Sequence, residues 1–217
     1  MSWLTQCCLN YETIANLRIQ DCYDWHQRVW EIFPSRPKGN PRPFLFRVIE
    51  KNNGCELWVM CREEPTMPKW MTSDNWKVSA VGDGFPFHRR YRFDLLANPT
   101  KRDGDRDSWQ GRERIRTKHR RFNLTTHDEQ CNWLCRKAEQ HGFRLLVDPE
   151  KGTSLDIELR HDFRFKRKGM RDGLHVGVRY KGTIEVVNPE KFAETFREGI
   201  GSAKSFGFGL LLLVPII

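Results

Sequence analysis

The sequence predicts an α+β chain of two tandem domains, and three observations carry that expectation. Its 217 residues suit two units of roughly 100 residues each, within the ordinary range of domain sizes. Apolar residues make up 38% of the chain, which excludes wholesale disorder and supplies material for real cores. Element signals also run through the same series twice: strand, helix, hairpin, a less regular stretch or helix, then strand. The division falls near residue 122, giving domains of residues 1–122 and 123–217.

Residues 3–9 form a short apolar run that suits an opening strand. A polar connector leads to Asp21, whose carboxylate is placed to cap a helix by accepting from the free N–H groups of its first turn. Cys22, Trp25, Val29, Ile32 and Phe33 follow three or four apart, as a core-facing stripe does, and Pro34 ends the helix. Residues 35–43 carry three prolines and Gly39 and read as a loop. Segments 44–50 and 55–62 flank Asn52-Asn53-Gly54, whose Asn-Gly step favours a tight hairpin turn. Residues 63–90, with Pro65, Pro68, Gly82, Gly84 and Pro86, have no clean period and read as irregular. Residues 90–97 look like a strand, and 98–121 like a long exposed loop or ribbon opened by Asn98-Pro99.

In the second half, Cys131, Trp133, Leu134 and Ala138 keep helical spacing between residues 126 and 142, where Gly142 is the stop. Strands are expected at 143–147, 155–165 and 174–187. Pro189 suits a first helical position, Phe192, Ala193 and Phe196 form the stripe, and Gly199 ends it. A final strand runs through residues 210–214. The apolar tail from residue 206 falls far short of the roughly 20 residues that span a bilayer, so it reads as a buried strand. The opening residues lack the basic region and long apolar stretch of a signal peptide. Seven cysteines, with Cys7 and Cys8 adjacent, give no paired framework and fit a reducing cytosol.

Charge is concentrated. The chain carries 37 Lys and Arg against 28 Asp and Glu, a formal +9. Residues 112–121 hold six basic groups against one acid, and residues 160–171 again six against one. The remainder is nearly neutral, so the excess sits in two runs, as expected for an anionic partner. In the second run Phe163 and Phe165 alternate with Arg164 and Lys166. A strand there puts aromatics on one face and cations on the other, a ribbon that can lie along phosphates. Neither run is amphipathic in the helical sense, which favours nucleic acid and no membrane.

Several motifs fail on inspection. Asp103, Asp105 and Asp107 have the spacing of a calcium loop, but position 108 is Ser where the loop needs Gly, and no Glu follows at the required place. Cys131 and Cys135 have no second pair at zinc-ribbon spacing, and the histidines show no ligand spacing, so no metal is expected and the thiols read as buried or inert. The segment 199–209 holds four glycines with Ser202, Lys204 and Ser205, yet Lys204 stands where a dinucleotide fingerprint needs its third Gly, and the order is helix to strand. What remains is a loop whose backbone can approach a polyanion closely, or simply a tight connection.

His26 follows Tyr23 by three residues on the first predicted helix, so both project from one face one turn apart. A helical histidine beside Trp25 and Trp30 is by itself most often structural. Beside a bound RNA it gains a second reading. An imidazole with an unperturbed pKa of about 6.5 can take a proton from a 2′-hydroxyl or give one to a leaving 5′-oxygen at neutral pH. RNA then supplies its own nucleophile, and no cofactor is required.

Six segments, in order along the chain, resemble one family. They are Trp3-Leu4-Thr5, Tyr23-Asp24-Trp25-His26, residues 91–102, Trp133-Leu134-Cys135-Arg136-Lys137, residues 142–146, and the glycine loop 199–210 with its apolar tail. Together they are similar to the CasE family of CRISPR precursor-RNA endoribonucleases, subunits of the type I-E Cascade complex. The glycine loop and tail are the most specific of the six.

The resemblance implies two ferredoxin-like domains (βαββαβ, as in RNA-recognition modules) and metal-independent cleavage at the 3′ base of a CRISPR repeat stem-loop. It implies a product ending in a 2′,3′-cyclic phosphate, retention of the mature guide RNA, and partnership with other Cascade subunits. Acid/base chemistry maps onto His26 and a positioning role onto Tyr23. Stem-holding maps onto the neighbourhood of Arg160, Arg164, Lys166, Arg167 and Lys168, and phosphate contact onto Arg136 and Lys137. Lys101, Arg102, Ser202 and Lys204, in the matching turn and glycine loop, complete the candidate RNA contacts. Some relatives place a Lys five positions after the His, whereas this chain has Glu31. Arg28, Arg36 or Lys204 is then left to stabilise the transition-state charge. The competing expectations are a non-catalytic RNA-binding subunit of the same complex and a metal-dependent nuclease. No paired carboxylates near the basic runs support the latter.

Overall fold

The computed structural model describes residues 1–37, 39–102, 108–110, 113–115, 121–147, 155–158, 161–166 and 173–216. Strand β1 (Ser2–Asn10) leads through helix α1 (Tyr11–Asn16) to helix α2 (Cys22–Trp30). The hairpin β2 (Phe44–Lys51) and β3 (Gly54–Cys61) follows, then β4 (Trp76–Val81). These strands form one antiparallel sheet in the order β2-β3-β1-β4. The hairpin closes as expected, with Lys51 opposite Gly54. Glycine is required there: at φ +147° an added Cβ would lie 1.9 Å from the Leu9 carbonyl oxygen.

Helix α2 ends earlier than the sequence suggests. Beyond Trp30 the N–H groups of Glu31, Ile32 and Phe33 bond three residues back, to Arg28, Val29 and Trp30, the tighter turn common at helix ends. Ile32 and Phe33 therefore stay in the stripe and are buried with Val29 against Cys7, Phe44, Phe46, Leu57 and Val59.

The second sheet begins with β5 (Arg90–Ala97). A ribbon follows in which β6 (Thr100–Arg102) pairs with β9 (Arg121–Asn123), and β7 (Ser108–Gln110) pairs with β8 (Glu113–Ile115). Next come α3 (His127–Gln140), β10 (Phe143–Leu146), β11 (Leu155–Ile157), β12 (His161–Phe165), β13 (Gly173–Val186), α4 (Pro189–Glu198) and β14 (Leu211–Pro215). The sheet order is β10-β13-β5-β14, with β11 and β12 both pairing along the long β13. Helices α3 and α4 contribute Trp133, Leu134 and Phe192 to a core with Tyr91, Leu95, Tyr180 and Ile184. Leu45, Met60, Phe196 and Leu210 form a smaller cluster that joins the two sheets.

Four expectations change. The supposedly irregular stretch 63–90 contains β4, an edge strand in which Trp76 and Val78 are half-buried while Lys77 and Ser79 are exposed, a period-two alternation only six residues long between turn-forming segments. Strand β5 pairs with β13 and β14, so the change of sheet falls between β4 and β5 and does not coincide with the expected division after residue 122. The single strand expected at 155–165 is two short ones. The last strand is an edge strand and only partly buried: among the described residues β14 pairs with β5 alone, and Leu211 is buried while Val214 is 57% exposed.

Candidate active site

The N-terminus of α2 is fixed by Asp21, whose Oδ1 accepts the N–H groups of Tyr23 at 2.7 Å and Asp24 at 3.0 Å. Its other oxygen accepts the backbone N–H of Lys166 at 2.9 Å. One carboxylate thus caps the helix carrying Tyr23 and His26 and holds the end of the basic strand against it. Asp24 closes the turn again by accepting from the Gln20 N–H at 2.8 Å.

His26 is half-buried in an aromatic box. Its ring centroid lies 6.1 Å from Trp30, 5.8 Å from Phe44 and 6.3 Å from Phe46. The indole N–H of Trp30 donates to Nε2 of His26 at 3.1 Å. While that bond is made, Nε2 serves as an acceptor and its lone pair is occupied. Tyr23, one turn earlier, is also half-buried.

Glu31, at the position where some relatives have Lys, accepts from Arg28 Nη1 at 2.7 Å and from the Trp70 indole at 2.8 Å. Arg28 also donates to the Leu17 carbonyl at 2.9 Å. The C-terminal end of α2 is therefore held by a local ion pair rather than by a free cation.

The glycine loop packs against α2 and β2. Its two ends are clipped together by Ile200 N–H donating to the Gly209 carbonyl at 2.9 Å, while Gly209 N–H donates to Leu96 at 2.8 Å. Gly209 has φ +86°, and an added Cβ would stand 2.6 Å from the Ile200 carbonyl oxygen, so the closure demands glycine. At the tip Phe206 sits 4.4 Å from Phe165 and 4.6 Å from His175, and Phe208 sits 5.0 Å from Phe163. The predicted alternation in β12 is present: Phe163 and Phe165 point to this aromatic cluster, while Arg164 and Lys166 are exposed.

Between α2, β2 and β12 lies a groove of about 550 Å³ whose walls include Asp21, Trp25, Arg47, Arg164, Arg179 and Phe206. Its floor is an ionic network that joins the sheets. Arg47, only 2% exposed, pairs with Asp94 at 2.8 Å. Asp94 accepts from Arg179 Nε at 3.0 Å, Arg179 reaches Glu158 at 3.3 Å, and Glu158 is paired with Lys181. Burial alone would raise the Asp94 carboxyl, but hydrogen bonds from Arg179 and the charge of Arg47 hold it below the usual range.

A second basic cluster gathers at the other end of the loop. Lys204 donates to the Glu198 carbonyl at 2.6 Å. Lys137 donates to Gln140 at 2.9 Å, and its neighbour Arg136 is exposed. Burial lowers the Lys204 ammonium, and Arg42 and Lys137 add to that despite Glu198. His141, bonded to Thr195 Oγ1 at 2.8 Å, is lowered from 6.5 by burial, then by Lys137 and Lys204.

The structure thus brings together Tyr23, His26, Lys166 and Lys204 around α2, with Arg164 in the adjoining groove. Ser202 is engaged elsewhere, donating to the Asn98 side chain at 3.0 Å. Lys101 is exposed on β6 near Glu129, and Arg102 pairs with Arg121 in the ribbon. Arg160, Arg167 and Lys168 lie outside the described residues, as do most of residues 103–121. Of the cysteines, burial pushes Cys7, Cys22, Cys55 and Cys61 up to about 12, which fits inert thiols. Sequence reasoning missed Arg42, Arg47 and the second role of Asp21. Only Arg42 had a local signal, an arginine held between Pro41 and Pro43.

Residues 2–215 match a family model described as CRISPR associated protein. The CRISPR-associated endoribonuclease Cse3 of Thermus thermophilus is 32% identical, over 98% of this chain and all of the relative. The CRISPR system Cascade subunit CasE of Escherichia coli is 28% identical, over 94% of this chain and 96% of the relative. Among solved structures, Thermus thermophilus Cse3 bound to an RNA representing a pre-cleavage complex superimposes with a TM-score of 0.75 at 28% identity, covering 99% of each chain. By the match along nearly its whole length and by identity to Cse3, the chain belongs to the Cse3/CasE family of CRISPR-associated endoribonucleases.

Proposed function

We propose that the chain cleaves CRISPR precursor RNA at the 3′ base of the repeat stem-loop and remains with the mature guide RNA as a Cascade subunit. Supporting this are the names of its relatives, one an endoribonuclease and one a Cascade subunit, and the RNA held by Cse3 in its pre-cleavage complex. The first sheet and the four-strand path β10-β13-β5-β14 of the second share the order 2-3-1-4 when the strands of each are numbered along the chain. On that order we read two ferredoxin-like units dividing between β4 and β5.

The observation that carries the chemistry is His26, half-buried on a capped helix between the glycine loop and the basic strand. The reaction needs no nucleophile beyond the RNA. A base removes the proton of the 2′-hydroxyl, O2′ attacks the adjacent phosphorus, and the bond from phosphorus to O5′ breaks as O5′ takes up a proton. The products are a 2′,3′-cyclic phosphate and a 5′-hydroxyl. His26 is the proton carrier in this reading, and to use Nε2 it must exchange the Trp30 indole for the RNA hydroxyl. Tyr23, on the same helical face, positions the imidazole or the phosphate. Arg164 and Lys166 hold the stem by its phosphates, consistent with A-form RNA being read largely by shape and backbone.

The products test this reading. End analysis of the upstream fragment is expected to find a terminus that resists phosphatase until acid opens the ring. A plain 3′-hydroxyl would refute the 2′-hydroxyl mechanism.

A further inference from the structure

Against Phe44, between residues 36–45 and the C-terminal end of α4, lies a basic pocket of about 290 Å³ that the chemistry assigned to His26 does not use. Most of its cations are already engaged. Arg36 pairs with Glu63 at 2.9 Å, Arg62 with the Glu198 carboxylate, and Lys204 with the Glu198 carbonyl at 2.6 Å. Arg42 differs. Its Nη1 is buried and has no hydrogen-bond partner among the described residues. Its guanidinium carbon rests 5.6 Å from the centre of the Phe44 ring. Burial pulls its pKa down to about 10 despite the charge of Glu198, so it remains a cation at neutral pH.

Desolvating part of a guanidinium without giving it an acceptor is costly, and a ligand that supplies the missing acceptor relieves that cost. The flanking Pro41 and Pro43 restrict the backbone on either side, so the side chain is presented from a stiff segment. Phe44 also touches the His26 ring, with centroids 5.8 Å apart. The pocket therefore adjoins the proposed reaction centre across one aromatic ring. Arg36 and Lys204, considered above for the transition state, are engaged by Glu63 and by the Glu198 carbonyl, whereas Arg42 Nη1 has no hydrogen-bond partner among the described residues.

We propose that this pocket seats a phosphodiester of the bound RNA next to the one that is cut, with Arg42 as its principal contact. The inference rests on the RNA-cleaving function proposed above and deepens it. A planar guanidinium suits a phosphate because two N–H groups reach two oxygens at once, which an ammonium cannot do.

The test is the affinity of a repeat hairpin with a 2′-deoxy at the scissile nucleotide, measured across a salt series. It compares wild type, Arg42→Gln, Arg42→Lys and, as a charge-matched control on exposed β4, Lys77→Gln. Arg42→Gln is expected to weaken binding about 10- to 100-fold and to flatten the salt slope by about 0.7–0.9. Arg42→Lys restores the slope but only part of the affinity, and Lys77→Gln leaves both unchanged. Without RNA, Arg42→Gln should unfold at the same temperature as wild type or higher, because a half-buried charge with one buried, unbonded nitrogen is removed. A wild-type affinity and slope in Arg42→Gln, while the wild type still cuts through His26, overturns the assignment, as does a fall in the unfolding midpoint of the free variant. A wild type that neither binds nor cuts the hairpin overturns the RNA reading itself, and the pocket's role with it.

Discussion

Asp21 and Lys166 are 145 positions apart, and a single hydrogen bond of 2.9 Å ties the cap of the His26 helix to the end of the basic strand. The carboxylate that starts α2 also contacts the residue just beyond β12. The proposed stem-holding strand and the proposed catalytic helix are therefore coupled by a direct contact.

Removing that carboxylate has two separable effects. Asp21→Ala should lose about 0.5–2 kcal/mol of stability through the missing cap, and RNA cleavage should slow as strand and helix separate. Asp21→Asn retains an acceptor for the N–H groups and should recover most of the stability. Denaturant unfolding and single-turnover cleavage check the pair, and equal stability in all three proteins would contradict the capping account.

Arg164 and Lys166 are exposed and serve no core. The double variant Arg164→Ala with Lys166→Ala should keep its stability within about 0.5 kcal/mol while weakening RNA binding. Each lost phosphate contact should reduce the salt slope by roughly 1. An unchanged slope moves the stem elsewhere.

The glycine loop is a strained closure that no other residue can make. Gly209→Ala combines φ +86° with a 2.6 Å approach to a carbonyl oxygen, so it should cost about 1–3 kcal/mol and displace the Phe206 tip from the aromatic cluster. Gly82→Ala, with nothing within 4 Å of its added Cβ, is the matched control. Thermal unfolding distinguishes them.

Acid should weaken the second unit through His141. Its folded-state pKa lies below the 6.5 of the free side chain, through burial first and then Lys137 and Lys204. The unfolded chain binds that proton more readily. The stability this neutral ring contributes is complete above about pH 6.5 and is lost as pH falls through the lower folded value. His141→Gln should remove this part of the pH dependence, visible as a flatter stability curve between neutral and mildly acid pH. A curve parallel to wild type would contradict the assignment.

What the sequence revealed depended on locality. The Asp21 cap, the stripe from Val29 to Phe33, the Asn-Gly hairpin and Gly199 as a helix stop follow from neighbours within a turn or two, and each was readable. Strand β5 has a clear pattern of its own, yet its partners are β13 and β14, more than 75 residues downstream at every point of the register. Its sheet could not be read from local spacing. Strand β4 was missed although Trp76, Val78 and Ala80 alternate with Lys77 and Ser79, because six residues among prolines and glycines give only a short run of that period. In the candidate site, the shared helical face of Tyr23 and His26 was readable from spacing, whereas the unbonded Nη1 of Arg42 depends on tertiary contacts that hold Glu63 and Glu198 to its neighbours.

The account's central claim is that His26 moves the proton of an RNA 2′-hydroxyl. Its most direct test is cleavage of a labelled repeat stem-loop in excess EDTA, with three reactions side by side: wild type, His26→Ala, and wild type on RNA with one 2′-deoxy at the scissile nucleotide. Cleavage in the first reaction alone is the predicted result. Cleavage by His26→Ala at the wild-type rate, or a wild type that binds the hairpin and never cuts it under any condition, would contradict it and leave an RNA-binding subunit in its place.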